Sequence, residues 1–266
     1  YINVIIIIGL CPFAHRSWIV AKELTAPIEY VHVDFIEKPE RGQLWVSNDK
    51  PVWYKENISP IATIPTLLDN SEPFMALKGT YENDVISEHL FQKFGSKNHS
   101  QIIPSDTMKR AAMRQNIAKV ATIGLIPSFY QLLSNQNPET DTQIAAKVWK
   151  KMVETNKLFC KFDLDGPYLF GDEISLADTS LIPFLDRFST NLKFYRNFIL
   201  LPDNCEEISK LKNMLESSRK RESMKETSQT PEFYINAYRS YAAKRRRSTE
   251  QEMKDMENFQ QSMLLS

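Results

Sequence analysis

Cysteine is scarce in this chain: Cys11, Cys160 and Cys205 are the only three in 266 residues. They are too few and too scattered for a disulfide framework or a thiolate zinc cluster, so a reducing, cytoplasmic setting is expected. His32, His89 and His99 show no ligand spacing with one another or with a cysteine, and no metal is expected. An excess of one charge is also missing. The 33 Lys and Arg balance 33 Asp and Glu, leaving no global field to draw the molecule onto nucleic acid or an anionic membrane. The longest aliphatic run, Val4 to Ile8, is far short of the roughly 20 apolar residues of a membrane-spanning helix. No nucleic-acid partner and no stable membrane insertion are therefore expected. That run lacks a basic flank and a small-residue cleavage site, and reads as a buried strand rather than a signal peptide. The sequence opens on Tyr1 and not on Met, which leaves open whether residues precede it.

What is present is a foldable composition, 42% hydrophobic and 25% charged, in a length that suits two domains of ordinary size. Ile2 to Ile8 has the pattern of a strand covered on both faces. Gly9 and Pro12 bracket Cys11, and Pro suits the first turn of a helix expected over Pro12 to Leu24 with Trp18, Ile19 and Leu24 inward. Pro27 ends it, and Val31, Val33 and Phe35 alternate with His32 and Asp34 as a second strand. The stretch from Ile36 to Pro60 reads as a long polar connection with room for one short helix. Ile64 to Leu68 is a third strand, Asp69-Asn70-Ser71 a turn, and Phe74 to Leu77 a fourth strand. Val85, Ile86, His89, Leu90 and Phe94 then recur at helical spacing. This order is that of a thioredoxin-like α/β domain, placed at residues 1–98.

After Pro104 strand signals stop. Asp106 to Ser134, Glu139 to Phe162, Ser175 to Phe188, Asn204 to Ser217 and Pro231 to Ala243 carry apolar residues three or four apart, implying an all-α domain over 104–243. Residues 244–266 read as a basic, then polar tail, frayed and partly disordered. Ser175-Leu176-Ala177-Asp178 is a capping box with Asp in the place of Glu, and its role is to start a helix.

Cys11 is the residue most able to carry chemistry. A thiol just before a helix that begins with Pro meets outward-pointing N–H groups and the positive end of the helix dipole, which favour a thiolate. A buried cysteine serving as a small hydrophobe fits its position equally well. The fourth residue of the segment is Ala14, so no resolving thiol stands beside it. A lone reactive cysteine instead attacks a mixed disulfide, holds one half covalently, and is released by an external thiol. His15 and Arg16 are adjacent and cannot both face the sulfur; they read as surface or packing residues. Cys160 reads as a core residue.

Cys11-Pro12-Phe13-Ala14-His15-Arg16 resembles the active-site segment of omega- and lambda-class glutathione transferases. Further matches follow in the family's order: Lys50-Pro51-Val52-Trp53-Tyr54, Ile64-Pro65-Thr66-Leu67, Tyr81-Glu82-Asn83-Asp84-Val85-Ile86, and Gly171-Asp172-Glu173-Ile174-Ser175-Leu176-Ala177-Asp178. The resemblance spans about Ile2 to Ala243 and implies the cytosolic glutathione transferase fold. It also implies a glutathione-dependent thiol transferase or reductase, acting on a small oxidised or glutathionylated acceptor by deglutathionylation or dehydroascorbate reduction. Cys11 is then catalytic. Pro65, cis in the family, turns the Ile64 backbone to pair with the cysteinyl part of glutathione. Glu82 and Asn83, at a helix start, suit the γ-glutamyl ammonium and carboxylate, and Lys50 the glycyl carboxylate. Conjugation to electrophiles is expected to be weak, since no Tyr or Ser stands near the N-terminus where other classes place an activating hydroxyl.

The chain departs from the pattern in two places. Asn83 replaces the usual Ser, although Asn can still donate to a carboxylate, and the connection from Phe35 to Asp49 is longer than usual and could overhang the site. Intracellular chloride channel proteins share the Cys-Pro-Phe motif, so a non-catalytic binding, membrane-associating or adaptor protein is the alternative. Lys22, Glu23, Glu29 and Asp34 make residues 17–36 costly in a bilayer. Lys244-Arg245-Arg246-Arg247 could serve nuclear import or acidic partners, or be merely solvated. A monomer or a homodimer is expected.

Overall fold

β1 (Asn3–Ile7) is the second strand of a four-stranded mixed sheet ordered β2-β1-β3-β4. It is parallel to β2 (Ile28–His32) and antiparallel to β3 (Thr66–Asp69), which pairs antiparallel with β4 (Thr80–Tyr81). Neighbours on both edges and cover on both faces account for its unbroken apolar sequence: Ile5, Ile6 and Ile7 are at most 2% exposed. The computed structural model describes residues 3–7, 9–33, 52–59, 63–69, 79–95, 101–162, 164–242, 245 and 247–264.

α1 (Pro12–Glu23) joins the parallel pair and buries Ala14, Trp18, Ile19, Val20 and Ala21. The second strand begins three residues earlier than its alternation suggests. β1 sets its limits, from Asn3 opposite Ile28 to Ile7 opposite His32. The expected short helix is α2 (Val52–Asn57), and α3 (Asn83–Leu90) runs into a π-helical turn, Phe91–Gly95. Asp69, expected in a turn, ends β3 instead, where its carboxylate accepts from His89 (2.9 Å) and Lys93 (2.5 Å). The strand expected at Phe74 to Leu77 and the connection from Phe35 to Asp49 lie outside the described residues.

The rest is helical: α4 (Thr107–Ile123), α5 (Leu125–Ser134), α6 (Asp141–Phe159), α7 (Leu176–Thr179), α8 (Ile182–Arg196), α9 (Ser209–Lys220), α10 (Glu222–Thr227), α11 (Pro231–Tyr238) and α12 (Glu250–Leu264). By contacts the chain divides into Tyr1–Ser105 with Lys220–Gln229, and Asp106–Arg219 with Thr230–Ser266.

Within the helical unit, the single stretch expected over Asp106 to Ser134 is two helices. Gly124 separates them at φ 77°, a left-handed conformation that suits glycine. Lys151 donates to the freed Ile123 carbonyl at that break. By length and composition alone Thr107–Ser134 is apolar enough to cross a membrane. The break and the buried faces make it a pair of packed helices: Phe129, Leu132 and Leu133 of α5 are fully buried. At the far end of α5 the fully buried Arg196 donates to the Leu132 and Leu133 carbonyls and to that of Asn135 (3.2 Å), a cation on a helix C-terminus.

Asp178 holds the start of α7. Its carboxylate accepts from the Ser175 N–H (2.8 Å), the Ser175 hydroxyl (2.6 Å) and the Leu169 N–H (2.9 Å). The Ser175 side chain accepts from the backbone in return, which completes the capping box. Burial nevertheless pushes the Asp178 carboxyl up to about 6, against those hydrogen bonds.

The tail expected to fray from Ser248 is instead α12. Thr249 and Glu252 cap each other's backbones, Thr249 N–H to Glu252 at 2.9 Å and Glu252 N–H to Thr249 at 3.4 Å. This is a capping box written openly in the sequence. Met256 is buried, and Gln260 bonds both the N–H and the carbonyl of Ile199 at 2.9 Å. Within the basic run, Arg245 pairs with both oxygens of Asp141 (2.8 and 2.5 Å) and with Glu252 (2.9 Å), and Arg247 stacks on Phe194. Arg245 is therefore committed inside the fold, while Arg247 stays exposed.

Candidate active site

Cys11 is the N-cap of α1, in extended backbone geometry, with Pro12 at the first helical position. Its carbonyl accepts the His15 N–H at 3.1 Å. The thiol is half-buried, and its Sγ lies 3.9 Å from the Ile64 carbonyl oxygen, in reach of a weak S–H···O bond. The Ile64-Pro65 peptide is cis. The carbonyl that the family resemblance gives to the cysteinyl part of glutathione is thus the one that Cys11 faces.

Tyr54, fully buried on α2, holds the bend before Ile64. Its hydroxyl donates to the Thr63 carbonyl at 2.6 Å and lies 2.7 Å from Thr66 Oγ1. Burial pushes that hydroxyl's pKa up, against its bond to Thr66. No reading of single residues pointed to Tyr54; its place in the Lys50–Tyr54 segment was the only signal.

Glu82 and Asn83 stand at the start of α3, Glu82 as N-cap and Asn83 as first helical residue. Glu82 is exposed, its side chain makes no capping bond, and its backbone sits at φ 72°, ψ 117°. Such a conformation costs a non-glycine residue about 1–3 kcal/mol. It is held by the pairing of Tyr81 with Thr66 and by the Ile86 N–H on the Glu82 carbonyl at 3.0 Å. The Asn83 carbonyl accepts from Ser17 (3.0 Å) and Ser87 (2.7 Å), which ties the start of α3 to α1. Lys50 lies outside the described residues.

His15 and Arg16, read as surface or packing residues, are both buried, 2% and 9% exposed. Arg16 Nη1 donates to Asn83 Oδ1 at 3.2 Å, and its guanidinium lies over the Phe13 ring. Burial pulls the Arg16 pKa down to about 10, while Asp84 and Cys11 pull it back up. His15 lies 2.8 Å from Thr227 Oγ1. Thr227 gives its own hydrogen to the Ser223 carbonyl at 2.6 Å, so His15 Nε2 is the donor.

That contact brings in α10, which sequence reasoning missed. Arg221 grips Glu23 with two hydrogen bonds of 2.7 and 2.6 Å, Ser223 adds a third, and Lys22 pairs with Glu226 at 2.5 Å. Burial pushes the Glu23 carboxyl up, but the bonds and the charge of Arg221 outweigh it and leave the pKa below its ordinary value. The Gln229 side chain comes so near Gly9 that a Cβ there would meet it at 3.3 Å.

Cys160, expected in the core, is exposed. It is the C-cap of α6, where the packed face of the helix has ended, and accepts a 3.6 Å contact from Asn156. Among the described residues no three His, Cys, Asp or Glu side chains converge to hold a metal ion.

Two family models match the chain, the glutathione S-transferase N-terminal domain over residues 7–98 and its C-terminal domain over 120–227. The chain belongs to the glutathione transferase superfamily. It is 27% identical over 232 residues to glutathione S-transferase L3 of Arabidopsis thaliana, covering 86% of this chain and 83% of that one. The fold is shared with the Omega 3C glutathione transferase of Trametes versicolor, with a TM-score of 0.69 and 23% identity over 91% of this chain and 90% of that one. It is shared too with the trimeric glutathione transferase TDR1 of Leishmania, with a TM-score of 0.72 and 23% identity over 91% of this chain. The match spans about half, 48%, of TDR1.

Proposed function

We propose that the protein is a glutathione-dependent thiol transferase in which Cys11 is the nucleophile and Ile64, Glu82 and Asn83 hold glutathione. The observation that carries this reading is the placement of a lone helix-start cysteine 3.9 Å from the Ile64 carbonyl, in a chain whose α1 also bonds the start of α3. Cys11 sulfur attacks the glutathionyl sulfur of a mixed disulfide. The new S–S bond forms as the old one breaks, and the acceptor leaves as a thiolate that takes a proton from water. A glutathione thiolate then attacks the Cys11-bound sulfur, releasing glutathione disulfide and restoring the Cys11 thiolate. No second protein thiol is needed, in keeping with Ala14 at the fourth position of the segment.

The Glu82 carboxylate, free of any capping duty, suits the γ-glutamyl ammonium, and the Asn83 amide suits the adjoining carboxylate. The strained Glu82 backbone fits a group held for a ligand rather than for the helix. Lys50 is assigned to the glycyl carboxylate at the far end. The test is a panel of a glutathionylated peptide, dehydroascorbate and an aryl halide: turnover is expected for the first two and only weakly for the third. Turnover of the aryl halide alone would overturn the reading.

A further inference from the structure

Where the family usually has a Ser hydroxyl, this chain presents an amide whose two ends are chemically opposite. A hydroxyl rotates to its ligand unaided, but an amide donates only if its oxygen is turned away. Arg16 has donors and no acceptor, so the atom of Asn83 that it meets at 3.2 Å is the oxygen. Asn83 Nδ2 then points the other way and makes no hydrogen bond among the described residues. The hydroxyls of Ser17 and Ser87 fix the backbone behind it. Arg16 is itself 9% exposed and laid over Phe13, so its fork does not wander.

Resting on the glutathione reading above, we propose that Arg16 is a positioning residue: it fixes the Asn83 amide so that both its N–H groups face the γ-glutamyl carboxylate. It replaces, for this chain, the freedom that a Ser hydroxyl has by itself. Arg16 does not touch the ligand; it acts through Asn83.

The test uses the full chain with its thiols reduced and two probes, glutathione and 4-aminobutyryl-cysteinylglycine, which lacks only the α-carboxylate of the γ-glutamyl group. Calorimetry gives the two dissociation constants. Arg16→Gln is expected to weaken glutathione by at least about tenfold, the worth of a misplaced hydrogen bond to a charged group, and to leave the analogue unchanged. In an Asn83→Ser background the same substitution is expected to lose its effect on glutathione. Equal weakening of both probes, an undiminished effect in the Ser background, or no effect at all would overturn the proposal. Asn83→Asp covers the case in which Arg16→Gln does not fold, because it keeps an oxygen for Arg16 and removes the donors. It is expected to lose glutathione and keep the analogue, and wild-type glutathione affinity in that variant would overturn the proposal. A wild-type chain that binds neither probe would overturn the glutathione reading itself, an outcome distinct from binding that ignores Arg16.

Discussion

Glu23→Gln tests how α10 is fastened to α1. In the wild type one carboxylate takes both Arg221 bonds, at 2.7 and 2.6 Å, and the Ser223 hydroxyl. The amide keeps one oxygen and sets an N–H₂ group against a donor, so at least one charge-assisted bond is lost. A bond to a charged group is worth about 1.5–3 kcal/mol. Glu23 is 12% and Arg221 32% exposed, so water recovers part of the loss, and the net cost is about 2 kcal/mol. The assay is native-state hydrogen exchange of the α10 amides, where that cost speeds local opening about 30-fold while β1 amides stay unchanged. The effect has a defined pH window. Since the folded Glu23 pKa lies below the ordinary 4.5, its contribution is complete above that value and is lost as pH falls through the folded pKa. Wild type and variant are expected to differ at pH 7 and to converge in acid. Unchanged α10 exchange in the variant at neutral pH would refute the idea that this carboxylate fastens the helix.

Asp178 works with the opposite sign: a carboxyl raised to about 6 contributes most when protonated, and that contribution is lost as pH rises from about 4 through 6. Relative to Asp178→Asn, the wild-type unfolding free energy is expected to fall by about 3 kcal/mol across that range in urea titrations. Arg196→Met strips the donor from the carbonyls at the end of α5 and is expected to cost about 3 kcal/mol or more in the same assay. Glu82→Gln and Asn83→Ala are each expected to raise the Michaelis constant for glutathione at least about tenfold while sparing alkylation of Cys11, as measured with iodoacetamide.

The elements legible in the sequence are those whose local pattern and tertiary setting agree. Ile5 to Ile7 reads as a central strand because the structure covers both its faces, and Ser175 to Asp178 reads as a cap because its partners are three residues apart. The two-domain order, strand-rich and then helical, follows from where β-branched runs give way to residues spaced by three and four. Features made by distant partners were hidden. Arg16 reads as a surface or packing residue until Asn83, 67 positions on, is seen to accept from it. Nothing in Glu222 to Thr227 shows that Glu23, some 200 residues earlier, will hold it. The break at Gly124 is readable as a glycine but is outweighed by a continuous apolar face, and the Thr249–Glu252 box is readable in a stretch whose polar, Met-containing composition suggests a loose end. Cys160 reads as a core residue because it lies in a helical stretch away from any charged helix start, whereas its position at the end of α6 decides its exposure.

The chemistry assigned to Cys11 has one direct test. The full chain is incubated with a glutathionylated peptide, stopped at short times by acid, and analysed by peptide mass mapping, in parallel with steady-state turnover. Wild type is expected to carry one glutathionyl group on Cys11 that free glutathione removes, and Cys11→Ser is expected to remain folded and lose turnover. Wild-type turnover by Cys11→Ser would contradict the account.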